Sequence, residues 1–431
     1  RLQKFNSSGE YLSQFGSAGT GNGQFSEPRA VAIDAEGNLW VADAGNNRIQ
    51  KFNSKGEYLS QFGTKGSGNG QLNLPTGIAV DSLGNLWVTD TNNYRVQRFN
   101  SKGEYLSKFG SFGSGSGQFQ LPEGALTFDS SDNFWVPDTG NGRIEKWTIA
   151  FAFSSSFGSE GTGNGQFAGP AGVTRDSSGN LWIADGGNNR IQKFNSSGVY
   201  LSQFGSSGSG NGQFSGLSAP AINASGKIWV ADKGNNRIQK FSSSGEYLSQ
   251  FGSAGSGNGQ FKEPRGLAID AEGNLWVVDS GNNRIQKFDS SGEYLSQFGS
   301  SGSGNGQFKD PRGMAIDAEG NLWVVDMSNN RIQKFNSKGE YQSQFGSSGS
   351  GNGQFVLPAG IAIDPYGNLW VTDGLNSRIQ KFNSKGEYLT KFGSYGTGEG
   401  QFNFPYGNVA VDAIGVWVAD TSNNRVQRWE N

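Results

Sequence analysis

Apolar and polar positions alternate along this chain in short bursts, never over the length of a helix. Residues 30–62 show the pattern. Four runs follow one another: Ala30-Val31-Ala32-Ile33-Asp34, Leu39-Trp40-Val41-Ala42-Asp43, Arg48-Ile49-Gln50-Lys51-Phe52 and Tyr58-Leu59-Ser60-Gln61-Phe62. β-Branched and aromatic side chains dominate them, which suits a pleated, half-buried strand. Between the runs lie Ala35-Glu36-Gly37-Asn38, Ala44-Gly45-Asn46-Asn47 and Asn53-Ser54-Lys55-Gly56-Glu57. Gly, Asn and Ser tolerate positive φ or support turns with their side chains, so these are predicted turns. A longer Gly-rich loop, 63–75, leads to the next set of runs. No segment carries helical periodicity.

The set recurs. An Arg followed by an aliphatic residue, Gln or Glu, Lys or Arg, and an aromatic stands at or near every third run. Its Arg falls at 1, 48, 95, 143, 190, 237, 284, 331, 378 and 425. Every step is 47 residues except that from Arg95 to Arg143, which is 48. Nine of the 11 Trp keep the same rhythm, from Trp40 and Trp87 to Trp417. Four antiparallel strands in 40–50 residues, repeated in tandem, are the mark of a β-propeller blade. A lone sheet of this kind leaves both faces wet. Stacked radially, each covers its neighbour, and the recurrent Trp is the expected filler between sheets.

The motif Asp-x-x-Gly-Asn-Leu-Trp-Val-x-Asp, leading through Asn-Asn-Arg-Ile-Gln-Lys-Phe, stands at Asp34–Phe52, Asp270–Phe288 and Asp317–Phe335. It resembles the NHL-repeat family, and the resemblance covers essentially the whole chain. It implies a β-propeller, most often of six blades. Here the repeats predict an all-β fold with one domain over 1–431: a single nine-bladed propeller with a wide central channel. The chain starts and stops at a third strand, so the C-terminal strands are expected to share one sheet with the N-terminal strand 9–15. That would remove an open edge. One third strand, Leu2–Phe5 or Val426–Trp429, is surplus. A six-bladed ring with leftover repeats, and rings completed between chains, are the rival arrangements.

Composition removes several chemistries. There is no Cys and no His, which excludes disulfides, thiolate metal sites and imidazole-based triads. Lys and Arg total 35 against 37 Asp and Glu, a net charge of −2, so no bulk field favours nucleic acid. No apolar run approaches the ~20 residues of a membrane helix. The chain opens on Arg1 rather than Met, which reads as a processed or excised chain.

Repetition separates scaffold from candidate site. Asp43 and Asp90 lie five residues before Arg48 and Arg95, and the pair recurs in every complete repeat. With Trp40 and Trp87 they are read as architecture, a hydrogen-bonded ion pair across each hairpin. A calcium loop at Asp43 is the weaker reading, with one carboxylate per loop. Binding is expected where repeats differ. Three loops read acid-Pro-Arg: Glu27-Pro28-Arg29, Glu263-Pro264-Arg265 and Asp310-Pro311-Arg312. With Lys233, Lys262 and Lys309 they suggest a basic patch, which Glu263 and Asp310 would partly neutralise. Tyr94, Phe404 and Tyr406 are candidate exposed contacts on the same loop face. Arg175 replaces an aliphatic residue and is assigned to the channel, where it needs a carboxylate or an anion. The repeats around 122–224 are irregular: Ala125 is an insertion, Ile149–Phe153 replaces the usual fourth strand, and Pro220 enters an inner strand.

The expected function is a non-enzymatic binding scaffold, monomeric, without cofactor or metal, presenting its loop face and channel to a protein, peptide or glycan. Lyases and hydrolases similar to this family hold a metal through His at the channel mouth, and that implication fails here at every position. A carboxylate-based or calcium-dependent enzyme is the alternative. RNA binding is a further one, disfavoured by the balanced charge. The Cys-free, Ser/Gly/Asn-rich composition fits a bacterial secreted or cell-surface protein.

Overall fold

The computed structural model describes residues 1–34, 36–81, 84–128, 134–147, 152–412 and 415–430. It divides into two compact units, Arg1–Ala150 and Phe151–Asn431.

The second unit holds six four-stranded antiparallel sheets. Five are built from consecutive strands and span 170–204, 221–251, 264–298, 311–345 and 358–392. The sixth takes Val409–Val411, Gly415–Asp420 and Arg425–Glu430, with Ala152–Phe157 as its outermost strand. The same interface recurs six times. The Trp, small-residue and Ile face of one sheet meets the aliphatic and Phe face of the next, as Trp276, Val278 and Ile285 meet Met314, Leu322, Val324 and Phe335. The sixth interface closes the cycle: Trp417, Ala410 and Val426 pack on Phe167, Val173, Leu181, Ile183 and Phe194. Polar contacts repeat with it. Asn283 Oδ1 accepts from the Asp310 amide at 2.9 Å, and Asn424 Oδ1 accepts from the Gly169 amide at 2.8 Å across the closure.

The first unit holds a two-stranded sheet of Leu2–Phe5 with Tyr11–Phe15, four-stranded sheets over 28–62 and 75–109, and a three-stranded sheet of Thr127–Phe128, Phe134–Asp138 and Arg143–Trp147. Its interfaces are of the same kind, Trp40 packing on Ile78 and Phe99, and Trp87 on Leu126 and Phe134.

The C-terminal strands therefore do not share a sheet with the N-terminal one, and nine sheets do not form one ring. Tyr11–Phe15 pairs with Leu2–Phe5, while Ala152–Phe157 pairs with Arg425–Glu430, placing Ser155 opposite Arg428. The physical reason is packing. Phe157 lies 4.9 Å from Phe194 in the second unit, the place Phe62 holds 4.6 Å from Phe99 in the first. Of the fourth strand expected at Ile149–Phe153, residues 149–151 lie outside the described residues, and the observed strand runs Ala152–Phe157. The two irregular inner strands shorten to Thr127–Phe128 and Ala221–Ile222. Beside Pro220 the isolated pairing of Leu217 with Asp232, and the Ser218 amide donating to the Ala231 carbonyl at 3.4 Å, extend the ladder.

Each hairpin is tied by buried polar groups. Asp279 Oδ2 accepts from Arg284 Nε at 2.7 Å, Asn282 Nδ2 at 2.9 Å and Gln286 Nε2 at 3.1 Å, while Oδ1 accepts from the Lys262 amide at 2.7 Å. Arg284 also donates to the carbonyls of Gly257 and Gln260. Asp43 with Arg48, and Asp90 with Arg95, make the same set at 2.7 Å. These residues hold the loop between sheets to the hairpin of the following sheet.

A second carboxylate anchors the Trp. Asp270 accepts from the Trp276 indole at 3.0 Å and pairs with Lys287 at 3.0 Å, whose ammonium lies 4.8 Å from the Trp276 ring centroid. Burial works against the Asp270 charge. Hydrogen bonds from Lys287, from the Asn274 side chain and amide, and from Trp276 outweigh it and hold the carboxyl below its ordinary 3.8. Asp34, Asp176 and Asp317 are shifted the same way. A folded-state pKa below the unfolded one gives stability that is complete above the unfolded value and lost as pH falls through the folded value. Asp270→Asn is therefore expected to lower stability near neutrality and to make little difference in acid below the folded pKa. Urea unfolding of both proteins at the two pH values checks this; a difference that persists undiminished in acid would contradict it.

Candidate binding site at the ring mouth

The first strands of the six sheets in the second unit line its axis. Three of them start from acid-Pro-Arg or Phe-Pro-Tyr loops in which the residue before Pro takes the left-handed region: Glu263 at φ 52°, Asp310 at φ 52° and Phe404 at φ 55°. That turn aims the residue after Pro at the axial opening. The opening is a cavity of about 150 Å³ lined by Lys233, Arg265, Arg312, Tyr406, Asn408 and small residues of the inner strands, among them Gly266, Gly313 and Ala359. The small residues are required. A Cβ at Gly407 would sit 2.5 Å from the backbone of Ala171, and one at Gly360 would strike the Gly407 carbonyl.

Further along the axis, the same strands line a cavity of about 270 Å³ with Val173, Ile222, Leu267, Ile269, Ile361 and Val409. The channel is thus walled by aliphatic side chains from six sheets.

Three cations and a phenol converge at the mouth. Arg265 pairs with Glu263 at 2.8 Å and Arg312 with Asp310 at 2.6 Å, so the neutralisation expected from the sequence is present. Lys233 has no carboxylate within ion-pairing distance among the described residues. Burial, followed by Arg265, lowers its pKa from 10.5, with Arg312 adding to the effect and Glu263 opposing it. Arg265 is lowered by burial and by Arg312. The guanidinium of Arg312 lies 5.2 Å from the Tyr406 ring centroid, and the Tyr406 hydroxyl donates to Met327 Sδ at 3.1 Å. Phe404 stacks on Tyr406 with centroids 4.7 Å apart. Burial raises the Tyr406 pKa, so the phenol stays neutral. The Nε atoms of Arg265 and Arg312 are buried without a hydrogen-bond partner. Lys233 and Arg265 are thus both lowered by burial first and then by a neighbouring guanidinium.

The remaining sequence candidates fall elsewhere. Lys262 and Lys309 are exposed and do not line the mouth. Arg29 lies in the first unit, paired with Glu27 at 3.2 Å and Glu123 at 3.3 Å. Tyr94, also in the first unit, is half-buried at φ 54° with its ring against Phe112 at 4.8 Å. Phe404 and Tyr406 are half-buried rather than exposed, because they cover one another. Arg175 lines the channel, but it is no free cation: it faces Asp412 at 3.7 Å and the Trp417 ring at 5.9 Å. Asn408 was missed. It stands three residues after Pro405, where other repeats carry Ile361, Met314 and Leu267, and its carbonyl accepts from the Val173 amide at 3.2 Å at the ring closure. Among the described residues no three His, Cys, Asp or Glu are grouped to hold a metal ion.

The repeating Asp, Trp and Arg are matched by the NHL-repeat family at residues 25–52, 72–99, 167–194, 221–241 and 261–288. The chain carries NHL repeats. A further family, described as a 6-bladed beta-propeller, matches 317–391, within the second unit. NHL repeats thus occur in both units, and the six-sheet ring fits that second description. Among solved structures, a protein of unknown function from Bacteroides thetaiotaomicron is 15% identical with a TM-score of 0.54, covering 94% of this chain and 99% of that one. A putative gluconolactonase is 17% identical with a TM-score of 0.47, covering 64% and 93%. A virginiamycin B lyase from Staphylococcus aureus, solved in a catalytically inactive form with quinupristin, is 15% identical with a TM-score of 0.36, covering 94% of each. Likeness at such identity shows the fold alone. No curated protein matches the chain.

Proposed function

We propose that this chain is a non-catalytic binding scaffold whose second unit takes a carboxylate-bearing segment of a protein or peptide at the ring mouth. The observation that carries this reading is the convergence of Lys233, Arg265 and Arg312, with Tyr406, on one cavity. Two of the three cations already have carboxylates, so Lys233 supplies the unpaired charge. A ligand carboxylate there pairs with Lys233 and relieves cation–cation repulsion. Charge-assisted hydrogen bonds of this kind contribute about 1.5–3 kcal/mol each. The small apolar neighbours Ala171, Leu217 and Ala219 leave room for the peptide flanking the acid.

Calorimetric titration of the full chain with hexaglutamate at low salt tests this. Binding is expected to weaken steeply with ionic strength, and Lys233→Ala or Arg312→Ala is expected to weaken it roughly tenfold or more. Arg29→Ala, in the first unit, is expected to leave it unchanged. Affinity is also expected to fall at a pH below that at which an ordinary lysine discharges, because burial lowers the Lys233 pKa. Failure of hexaglutamate to bind, or equal binding by the Lys233→Ala/Arg312→Ala double variant, would reject the assignment.

A further inference from the structure

The first unit repeats the architecture of the second but leaves it unfinished. Among the described residues the sheet over 127–147 has three strands and no fourth. Tyr11–Phe15 is a fourth-type strand whose sheet lacks first and second strands. The outward faces at the two ends of the series are covered only in part: Leu2 and Phe15 pack on Phe25, Val41 and Phe52 at one end, and the margins of both faces stay exposed. Ile144 is 67% exposed, whereas its counterparts Ile49, Ile191 and Ile285 are fully buried. Val31 is 51% exposed and Ile33 66%, whereas Ile78, the counterpart of Val31, is 2% exposed.

These two faces are complementary. Trp135, Pro137 and Ile144 occupy the positions held at every internal interface by the Trp, small-residue and Ile face. Val31 and Val41 occupy those of the aliphatic face that receives it. The chain itself shows how many such sheets complete a cycle, since the second unit closes at six. Three sheets joined by the same interfaces turn through half of that cycle. The chain also shows that a fourth strand can complete a distant sheet, as Ala152–Phe157 does for 409–430.

We propose that the first unit pairs with the first unit of a second copy of this chain to close a six-sheet ring. The three-stranded sheet of each copy takes Tyr11–Phe15 of the other as its fourth strand. Arg143–Trp147 then occupies the place that Leu2–Phe5 now fills beside Tyr11–Phe15. The two are copies of the same third strand, and Leu2–Phe5 is mostly exposed. The exchange covers both apolar faces and both sheet edges at once, and a two-fold arrangement ends after two copies rather than growing. The expectation of a monomer drawn from the sequence gives way to this.

Sedimentation equilibrium of the full chain is expected to give twice the chain mass. Ile144→Asp should halve it while the near-ultraviolet circular dichroism is retained, since Ile144 is exposed within one copy. A second experiment uses the absence of native Cys. Within the sheets Lys51 faces Ser60, and the exchanged strands would set Lys146 opposite Ser13 in the same way. The Ser13→Cys/Lys146→Cys double variant is expected to run as a covalent dimer under denaturing, non-reducing conditions. A single-chain mass at all concentrations, an intrachain link only, or a ladder of longer polymers would each overturn the proposal.

Discussion

Asp279→Ala is expected to destabilise the second unit by about 3–5 kcal/mol, the loss typical when one partner of a buried ion pair is removed. The carboxylate is fully buried and receives four donors: the Arg284 guanidinium, the Asn282 and Gln286 side chains and the Lys262 amide. Without it the Arg284 charge remains in a buried site, and the loop before Pro264 loses the anchor that aims Arg265 at the mouth. Asp279→Asn retains an acceptor for the Lys262 amide and should cost less. Asp138→Ala should also cost less, because its partner Arg143 keeps 32% of its side chain exposed against 9% for Arg284, and water can take over its solvation. Urea unfolding followed by Trp fluorescence orders the three. Equal losses at Asp279 and Asp138 would show that burial of the pair does not govern its contribution.

Trp276→Ala is expected to cost about 3–5 kcal/mol as well, through lost burial and the cavity left between two sheets. Trp276 is 2% exposed and packs on Met314, Leu322, Val324 and Phe335 of the following sheet. Its indole also satisfies Asp270, so truncation removes a donor from a carboxylate that needs it. The counterpart Trp135 is half-buried and, among the described residues, belongs to no inter-sheet cluster of the first unit, and Trp135→Ala should cost well under half as much below the concentration at which copies associate. Above that concentration the cost of Trp135→Ala should grow, because a second copy would then cover the ring. A concentration-independent loss would separate Trp135 from any interface.

The sequence revealed the strands, the turns, the Trp filler and the Asp–Arg tie because each repeats at a fixed interval and each has a local cause. It did not reveal which third strand Ala152–Phe157 would join. Trp147 to Phe157 has the spacing of Phe99 to Phe109, so the strand stands where a fourth strand belongs. All third strands are near copies, however, and Arg143–Trp147 and Arg425–Glu430 offer it equivalent edges. Pairing partners are then decided by the tertiary packing of Phe157 against Phe167 and Phe194, which no local pattern records. The expected strand also ended at Phe153, whereas the observed one runs on to Phe157. At the candidate site, departures from the repeat marked Lys233, Arg265, Arg312 and Tyr406. Lys262 and Lys309 carry the same charge in equivalent loops but precede the left-handed turn and stay exposed, while Arg29 follows the same turn after Glu27 but lies in the first unit. Asn408 was illegible because its role depends on a backbone approach between two sheets distant in sequence.

The six-sheet ring of the second unit is closed by Ala152–Phe157 against the C-terminal strand. Ser155 stands opposite Arg428 in that closure, whereas a ring through all nine repeats would set Ser13 there instead. Because the chain has no Cys, two double variants decide between them. Ser155→Cys/Arg428→Cys is predicted to form an intrachain disulfide on mild oxidation and to raise the unfolding midpoint of the second unit, while Ser13→Cys/Arg428→Cys stays reduced. Efficient oxidation of the Ser13 pair within one chain, with the Ser155 pair left as thiols, would contradict it.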